Sequence, residues 1–179
     1  MAEGQRQVAA ENLLTRIGQV VMLHHAGDRE EARHRLLGLW TELGEHGDPV
    51  HRCTLARCLA DTQDDPEAEL AWDLRALTAA EEAGGGRTTA GEQAAAVRAL
   101  YPALHLDLAA DYARLGRPDA ARAHLHRART AARTLADDRY GAGVRSAIRR
   151  LELRLGEGEG GADGEGGGGG PVGPPRQRL

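Results

Sequence analysis

The sequence predicts an all-α protein, and three observations lead to this prediction. Aromatic residues make up only 3% of the 179 residues and phenylalanine is absent, so that alanine and leucine must supply the core. Both are strong helix formers, whereas β-sheets favour β-branched and aromatic side chains. Apolar residues recur at spacings of three and four along residues 5–155, as they do on one face of a helix. Segments containing glycine, or aspartate followed by proline, interrupt this pattern where helices would end and begin.

Glycine and aspartate mark the boundary between the first two predicted helices. The first helix is expected to run from about Gln5 to Ala26 and to end at Gly27, because glycine readily leaves the helical conformation. Asp28 then begins the second helix, and Glu31, three residues later, completes the pattern of a capping box. The second helix is expected to end within residues 44–47.

Two Asp-Pro pairs begin the third and fourth predicted helices. In Asp48-Pro49 and Asp65-Pro66 the aspartate can cap the helix, and proline suits the first helical position. Residues 84–89, of sequence Gly-Gly-Gly-Arg-Thr-Thr, are expected to form a loop after the fourth helix.

The second half of the chain predicts about three further helices. A helical pattern resumes near Glu92, and Pro102 either kinks this helix or begins a fresh one. The pattern stops at Leu115-Gly116, and Pro118 opens the next helix. The last helix has an apolar face formed by Tyr140, Val144, Ile148, Leu151 and Leu155.

Glycine and acidic residues dominate the C-terminal residues 156–179. No apolar residue recurs there at a helical or strand spacing, so the segment cannot bury enough surface to offset its conformational entropy. The sequence therefore predicts a helical domain over residues 1–155 and a disordered tail over residues 156–179.

The strongest internal pattern predicts two closely packed helices between residues 105 and 128. In chain order it comprises His105, Leu108, Ala109, Tyr112, Leu115, Gly116, Ala121, Leu125 and Ala128. Small side chains at Ala109 and Ala121 allow two antiparallel helices to approach closely, while Tyr112 and Leu125 fill the space between them. This spacing resembles the tetratricopeptide repeat, in which a Leu-Gly pair, a Tyr and spaced Ala residues recur at these intervals.

A weaker copy of the pattern lies upstream and comprises Leu55, Ala56, Leu59, Ala68 and Trp72. The segments around Trp72 and Tyr112 also resemble short helical-repeat proteins of high-GC actinobacteria. These resemblances imply a stack of about three antiparallel helix pairs, in which the last helix caps the stack.

The resemblance to tetratricopeptide proteins also implies a function. It suggests a non-catalytic module that binds a protein or peptide without a cofactor, through the first helix of each pair on the concave face. The residues that would face the partner are His24, His25, Arg57, Asp61 and Arg114. An alternative that the resemblance leaves open is the sensing or effector part of a regulator.

Charge is unevenly distributed along the chain. The net charge is −4, yet residues 114–155 contain eleven arginines and four acidic residues. These arginines either form solvated helix faces or provide a surface for anions or nucleic acid. Nucleic-acid binding is not expected, because almost no aromatic side chain lies among the arginines to stack on bases. The acidic front and basic end also suggest head-to-tail self-association.

The remaining polar residues give no pattern of a known catalytic or metal site. Cys53 and Cys58 point to different helix faces, so a mutual disulfide is not expected. The histidines and cysteines lack the spacing of zinc ligands, and no metal site is expected. His124 and His126 are expected on the solvent side. The carboxylate of Asp107 or Asp111 is expected to pair with a nearby arginine such as Arg114.

Nucleophile and phosphate-binding motifs are also missing from the sequence. No apolar run is long enough to span a membrane, and the N-terminal residues do not have the pattern of a secretory signal. The expected location is therefore the cytoplasm, where free cysteines are common.

Overall fold

The computed structural model of the protein describes residues 2–85 and 92–160, and these residues form an all-helical structure without strands. The helices are α1 (Ala2–His25), α2 (Arg29–Leu43), α3 (Pro49–Ala60), α4 (Pro66–Gly85), α5 (Glu92–Arg114), α6 (Pro118–Ala131) and α7 (Arg139–Gly160), with a 3₁₀ turn at Ala132–Thr134. The predicted fold class is thus confirmed at the level of secondary structure.

Each helix contacts its neighbour in the chain, with the most extensive contacts between α3 and α4 and between α5 and α6. Odd-numbered helices also contact each other, α1 with α3 and α5 with α7. Trp40 on α2 and Trp72 on α4 meet edge to face, with ring centroids 5.2 Å apart. Edge-to-face packing is a favourable arrangement of two aromatic rings. It therefore joins α2 directly to α4.

Among the described residues, the core consists of three apolar clusters arranged along the chain. The first is formed by α1, α2 and α3 around Leu36, Leu55 and Leu59. The second lies between α3, α4 and α5 and is built mainly from alanines, together with Cys53 and Val97. The third is formed by α5, α6, the 3₁₀ turn and α7; its buried members are Ala109, Leu125, Ala128, Ala132, Ile148 and Leu151. Alanine in the second and third clusters allows the helix backbones to lie close together.

Aspartate caps two of the helices as the sequence predicts. The Asp48 carboxylate accepts hydrogen bonds from the backbone N–H groups of Val50 and His51, at 3.0 and 3.1 Å. The Asp65 carboxylate accepts one from the N–H of Ala68 at 3.0 Å. These bonds satisfy N–H groups that have no partner within the first helical turn.

The predicted capping box at the start of α2 is wrong. Asp28 precedes the helix, but its side chain makes no capping hydrogen bond. The Glu31 carboxylate instead accepts a hydrogen bond from Arg35, one turn further along the helix, at 2.6 Å. Arg35, four residues further along the same helix face, thus binds the Glu31 carboxylate that a capping box would use.

Glycines with positive φ occupy the ends of α1, α2 and α5. Gly27, Gly44 and Gly116 have φ values of 99°, 69° and 66°. This left-handed region is available to glycine at little cost, and it lets the chain leave the helix sharply. The predicted ends of these three helices agree with the structure.

Two predicted boundaries differ from the structure. α4 continues through Gly84 and Gly85, which were expected in the loop. At Gly84 a Cβ atom would lie 3.2 Å from the Tyr101 hydroxyl, so the absence of a side chain allows close packing against α5. α7 continues to Gly160, past the predicted boundary at residue 155. Residues 86–91 and the predicted tail residues 161–179 lie outside the described residues.

Pro102 lies inside one continuous helix. It occupies the interior of α5 and is fully buried. Of the two alternatives at this position, a fresh helix is therefore wrong. Proline removes one backbone hydrogen bond from a helix interior, and burial of its ring against neighbouring helices offsets part of this cost.

Candidate partner-binding site

An ion pair connects α3 to α5. Arg57 Nη2 donates a hydrogen bond to Asp107 Oδ2 at 2.8 Å, and both side chains are about one-third exposed. Burial raises the pKa of Asp107, and the neighbouring Arg57 guanidinium opposes this shift. The Arg57 Nε atom is buried and has no hydrogen-bond partner among the described residues. Arg57, which the sequence places towards a partner, is therefore held by a carboxylate of the chain itself.

His24, His25 and Asp61 line one pocket between α1 and α3. The pocket has a volume of about 300 Å³, and its other lining residues are Val21, Leu36, Cys58 and Thr62. The two histidines belong to the last turn of α1, and Asp61 follows the last turn of α3. The structure thus brings together three of the five predicted partner-binding residues.

Polar groups in this pocket have unused hydrogen-bonding capacity. His24 Nδ1 is buried and has no hydrogen-bond partner among the described residues. Desolvation raises the pKa of Asp61, the negative charge of Asp107 raises it further, and Arg57 and His24 oppose both effects. Buried polar atoms normally have a partner, so the buried Nδ1 atom of His24 favours a polar ligand in the pocket.

Arg114 is engaged by two carboxylates on α4 and α5. Its Nη2 atom lies 2.6 Å from Glu69 Oε2 and 2.6 Å from Asp111 Oδ1. The expected pair of Arg114 with an acidic residue of α5 is present for Asp111, whereas Asp107 pairs with Arg57. Arg114 is therefore not a free cation for a partner.

Asp73 and Asp111 form a buried pair of carboxyl groups that the sequence analysis missed. Asp73 is 4% exposed and Asp111 is 1% exposed. Burial raises the pKa of Asp73 to about 9, and the charges of Asp107 and Asp111 add to this effect. A protonated Asp73 can donate a hydrogen bond to Asp111, whose buried Oδ2 atom has no hydrogen-bond partner among the described residues.

The same region is the one group of acidic side chains, within residues 11–85 and 95–156, whose geometry would admit a metal ion. One carboxylate oxygen each of Glu69, Asp73 and Asp111 lie within 4.8 Å of one another. Hard divalent cations prefer such oxygen ligands. The spacing of histidines and cysteines does not indicate this group, because its members are all carboxylates. The spacing of four residues between Glu69 and Asp73, and between Asp107 and Asp111, was the signal that could have revealed the cluster.

The residues of the repeat pattern lie mostly in the core. Eight are buried: Leu55, Ala56, Leu59, Leu108, Ala109, Ala121, Leu125 and Ala128. Ala68, Trp72 and Tyr112 are half-buried, and Gly116 is exposed in the turn after α5. The Arg75 guanidinium lies over the Trp72 ring, 4.8 Å from the ring centroid.

The solvent-facing position predicted for His124 is wrong. His124 is buried, and its ring lies between those of His105 and Tyr112, with both centroid distances 5.3 Å. His105 Nδ1 and His124 Nδ1 are 3.2 Å apart, so one ring donates and the other accepts. The partner ring comes from α5, which the local spacing of His124 and His126 could not reveal. His126 is exposed, as expected.

Acidic residues neutralise part of the basic segment 114–155. Four of its arginines pair with acidic residues at least eight positions away or on another helix: Arg114 with Glu69, Arg117 with Glu67, Arg129 with Glu152 and Arg145 with Asp137. The segment is thus less available to an anionic partner than its composition indicates.

The two thiols are poor nucleophiles. Cys53 and Cys58 are both free, as the sequence predicts. Burial raises the pKa of each to about 11, so both are protonated near neutral pH. Because the thiolate is the reactive form, neither cysteine is prepared for nucleophilic chemistry.

Comparison of the chain with protein-family models, with curated proteins and with solved structures finds no match in any of the three. Among residues 2–85 and 92–160, no helix combines the length and the apolar character that a membrane crossing requires.

Proposed function

We propose that the chain is a non-catalytic helical-repeat module of tetratricopeptide-like architecture that binds a protein or peptide. The binding face is formed by α1, α3 and α5. The observation that carries the proposal is the pocket in which His24, His25 and Asp61 converge. The partner presents a basic side chain to this pocket.

Helix contacts support the repeat architecture. Each odd-numbered helix contacts the even-numbered helix that follows it, and α1 also contacts α3, as α5 contacts α7. The Arg57–Asp107 ion pair provides the corresponding connection between α3 and α5. In a stack of helix pairs, the first helices lie side by side and form a continuous face.

Charge supports a basic partner at this face. The Asp61 carboxylate is exposed, and the carboxylates of Asp107 and Glu69 lie close enough to influence it electrostatically. Among the described residues, Arg57 pairs with Asp107 and Arg114 pairs with Glu69. No guanidinium of the described residues pairs with Asp61, which leaves its charge for a partner. An electrostatically complementary partner is therefore cationic.

A pair of synthetic peptides tests the proposal. One fluorescein-labelled peptide alternates alanine with arginine, and the other alternates alanine with glutamate. We expect fluorescence anisotropy to show binding of the arginine peptide only. Asp61→Asn should weaken this binding about fivefold, as expected for loss of one charged hydrogen bond at a partly solvated site.

Asp119→Asn on α6 is the matched control. It makes the same chemical change at a fully exposed side chain that pairs with Arg122 on the same helix. We expect it to bind the arginine peptide as the unmodified protein does. Equal weakening by both substitutions would show that net charge alone attracts the peptide, and the proposed site would be wrong.

A further inference from the structure

A second cleft lies between α5 and α6, apart from the proposed partner-binding face. It has a volume of about 390 Å³. Arg98, Tyr101 and His105 line it from α5, at spacings of three and four that place them on one side of the helix. His126, Arg127, Thr130, Ala131 and Thr134 line it from α6 and the turn that follows.

The charge of this cleft is positive. None of its lining residues is acidic, although two of them are arginines. Most arginines on α1 to α4 pair with a carboxylate, whereas Arg98 and Arg127 form no ion pair among the described residues. Arg127 also lowers the pKa of both His105 and His124, after the larger effect of burial. Two uncompensated guanidinium groups at one cleft favour an anion.

The cleft wall is mainly apolar between these two cations. The Tyr101 ring stacks against that of His105, with centroids 6.2 Å apart. Burial, His124 and Arg127 lower the pKa of His105 to about 4, so its ring is neutral near neutral pH. The Tyr101 hydroxyl donates to the Ala80 carbonyl at 3.3 Å, which fixes the ring. The planar rings of Tyr101 and His105 offer a surface on which a flat apolar group can stack.

We propose that this cleft binds a small organic anion, whose carboxylate or phosphate is held by Arg98 and Arg127 and whose planar apolar body lies against Tyr101 and His105. Small-molecule sites commonly combine an apolar wall with a few polar groups that fix orientation. This site is separate from the proposed function, because none of its lining residues belongs to the pocket of His24, His25 and Asp61.

Three probes test the site by NMR titration of the full chain. Benzoate carries both the charge and the planar body, inorganic phosphate carries charge only, and benzyl alcohol carries the planar body only. We expect benzoate to shift the ring resonances of Tyr101 and His105 to saturation. Phosphate and benzyl alcohol should each bind at least about tenfold more weakly.

The double substitution Arg98→Gln and Arg127→Gln removes both cations. It should weaken benzoate binding at least about tenfold, as expected for loss of charged hydrogen bonds. Both side chains lie at exposed residues, so the fold should persist, which circular dichroism checks. Arg139→Gln with Arg149→Gln is the control with an equal change of net charge, at exposed residues of α7.

The outcomes separate clearly. Loss of benzoate binding in the cleft pair, with retention in the α7 pair, supports the site. Equal affinity of the cleft pair and the unmodified protein overturns it, as does equal weakening by both pairs. Equal binding of phosphate and benzoate also overturns it, because the apolar wall would then contribute nothing.

Discussion

The carboxyl groups of Asp73 on α4 and Asp111 on α5 face each other inside the interface of these two helices, where both residues are more than nine-tenths buried. Arg114 neutralises Asp111, whereas no guanidinium pairs with Asp73 among the described residues. Asp73 therefore retains a proton, which stabilises the pair because two adjacent buried charges would repel.

The first prediction concerns pH. The pKa of Asp73 rises from its ordinary 3.8 to about 9 on folding. Between these values the folded state holds a proton that the unfolded state has released, so the free energy of unfolding decreases as pH rises. One such group contributes a slope of up to about 1.4 kcal/mol per pH unit. Urea denaturation at about pH 5 and about pH 8 measures this slope.

Asp73→Asn should flatten the pH dependence, because the amide cannot release a proton and can still donate to Asp111. Asp119→Asn, at an exposed position, should leave the slope unchanged. An undiminished slope in Asp73→Asn would contradict the assignment of the proton to this pair.

The second prediction concerns the Arg57–Asp107 ion pair. Both side chains are about one-third exposed, so solvent screens their attraction. A double-mutant cycle with Arg57→Gln and Asp107→Asn should give a coupling free energy of about 0.5–1 kcal/mol. The free energy of unfolding of the four proteins supplies the measurement. A coupling of zero would mean that the ion pair does not help to hold α3 against α5.

The third prediction concerns the core. Leu55 is fully buried in the cluster of α1, α2 and α3. Leu55→Ala should lower the free energy of unfolding by about 2–5 kcal/mol, through lost burial and the cavity that remains. Leu153 on α7 is 66% exposed. Leu153→Ala should therefore change the free energy of unfolding by less than about 0.5 kcal/mol. Similar effects of the two substitutions would be incompatible with this core.

The fourth prediction contrasts two glycines. Gly116, which follows α5, has a φ of +66°. Gly116→Ala should destabilise the protein by about 1–2 kcal/mol, because at positive φ the Cβ atom lies too close to the following carbonyl oxygen. Gly38 lies within α2, and an added Cβ would meet no atom within 4 Å. Gly38→Ala should therefore stabilise by about 0.5–1 kcal/mol. Thermal unfolding followed by circular dichroism measures the stability of both variants. A shift of the midpoint temperature in the same direction for Gly116→Ala and Gly38→Ala would contradict this prediction.

Local signals explain why the sequence predicts the all-helical class and most helix boundaries. Asp48 next to Pro49 begins a helix, and Gly116 ends one, through interactions among adjacent residues. Side-chain competition is harder to foresee. Arg35 draws Glu31 away from the capping box, although both alternatives are compatible with the spacing.

Long-range contacts explain why the candidate site is only partly predictable. The spacing of the first helices suggests which residues share a face, and His24, His25 and Asp61 do converge. Arg57 and Asp107 are fifty positions apart, and Arg57 has many other acidic residues available in the sequence. Only the packing of α3 against α5 selects its partner.

Two consecutive residues of α3 pack into different core clusters, and this bears on the order in which the helices detach during unfolding. Leu55 packs with α1 and α2, whereas its neighbour Ala56 packs with α4 and α5. Detachment of α1 and α2 would expose Leu55 to solvent but leave Ala56 buried against α4 and α5. Amide hydrogen exchange should therefore reveal stepwise peeling from this end, with protection on α4 and α5 outlasting that on α1 and α2.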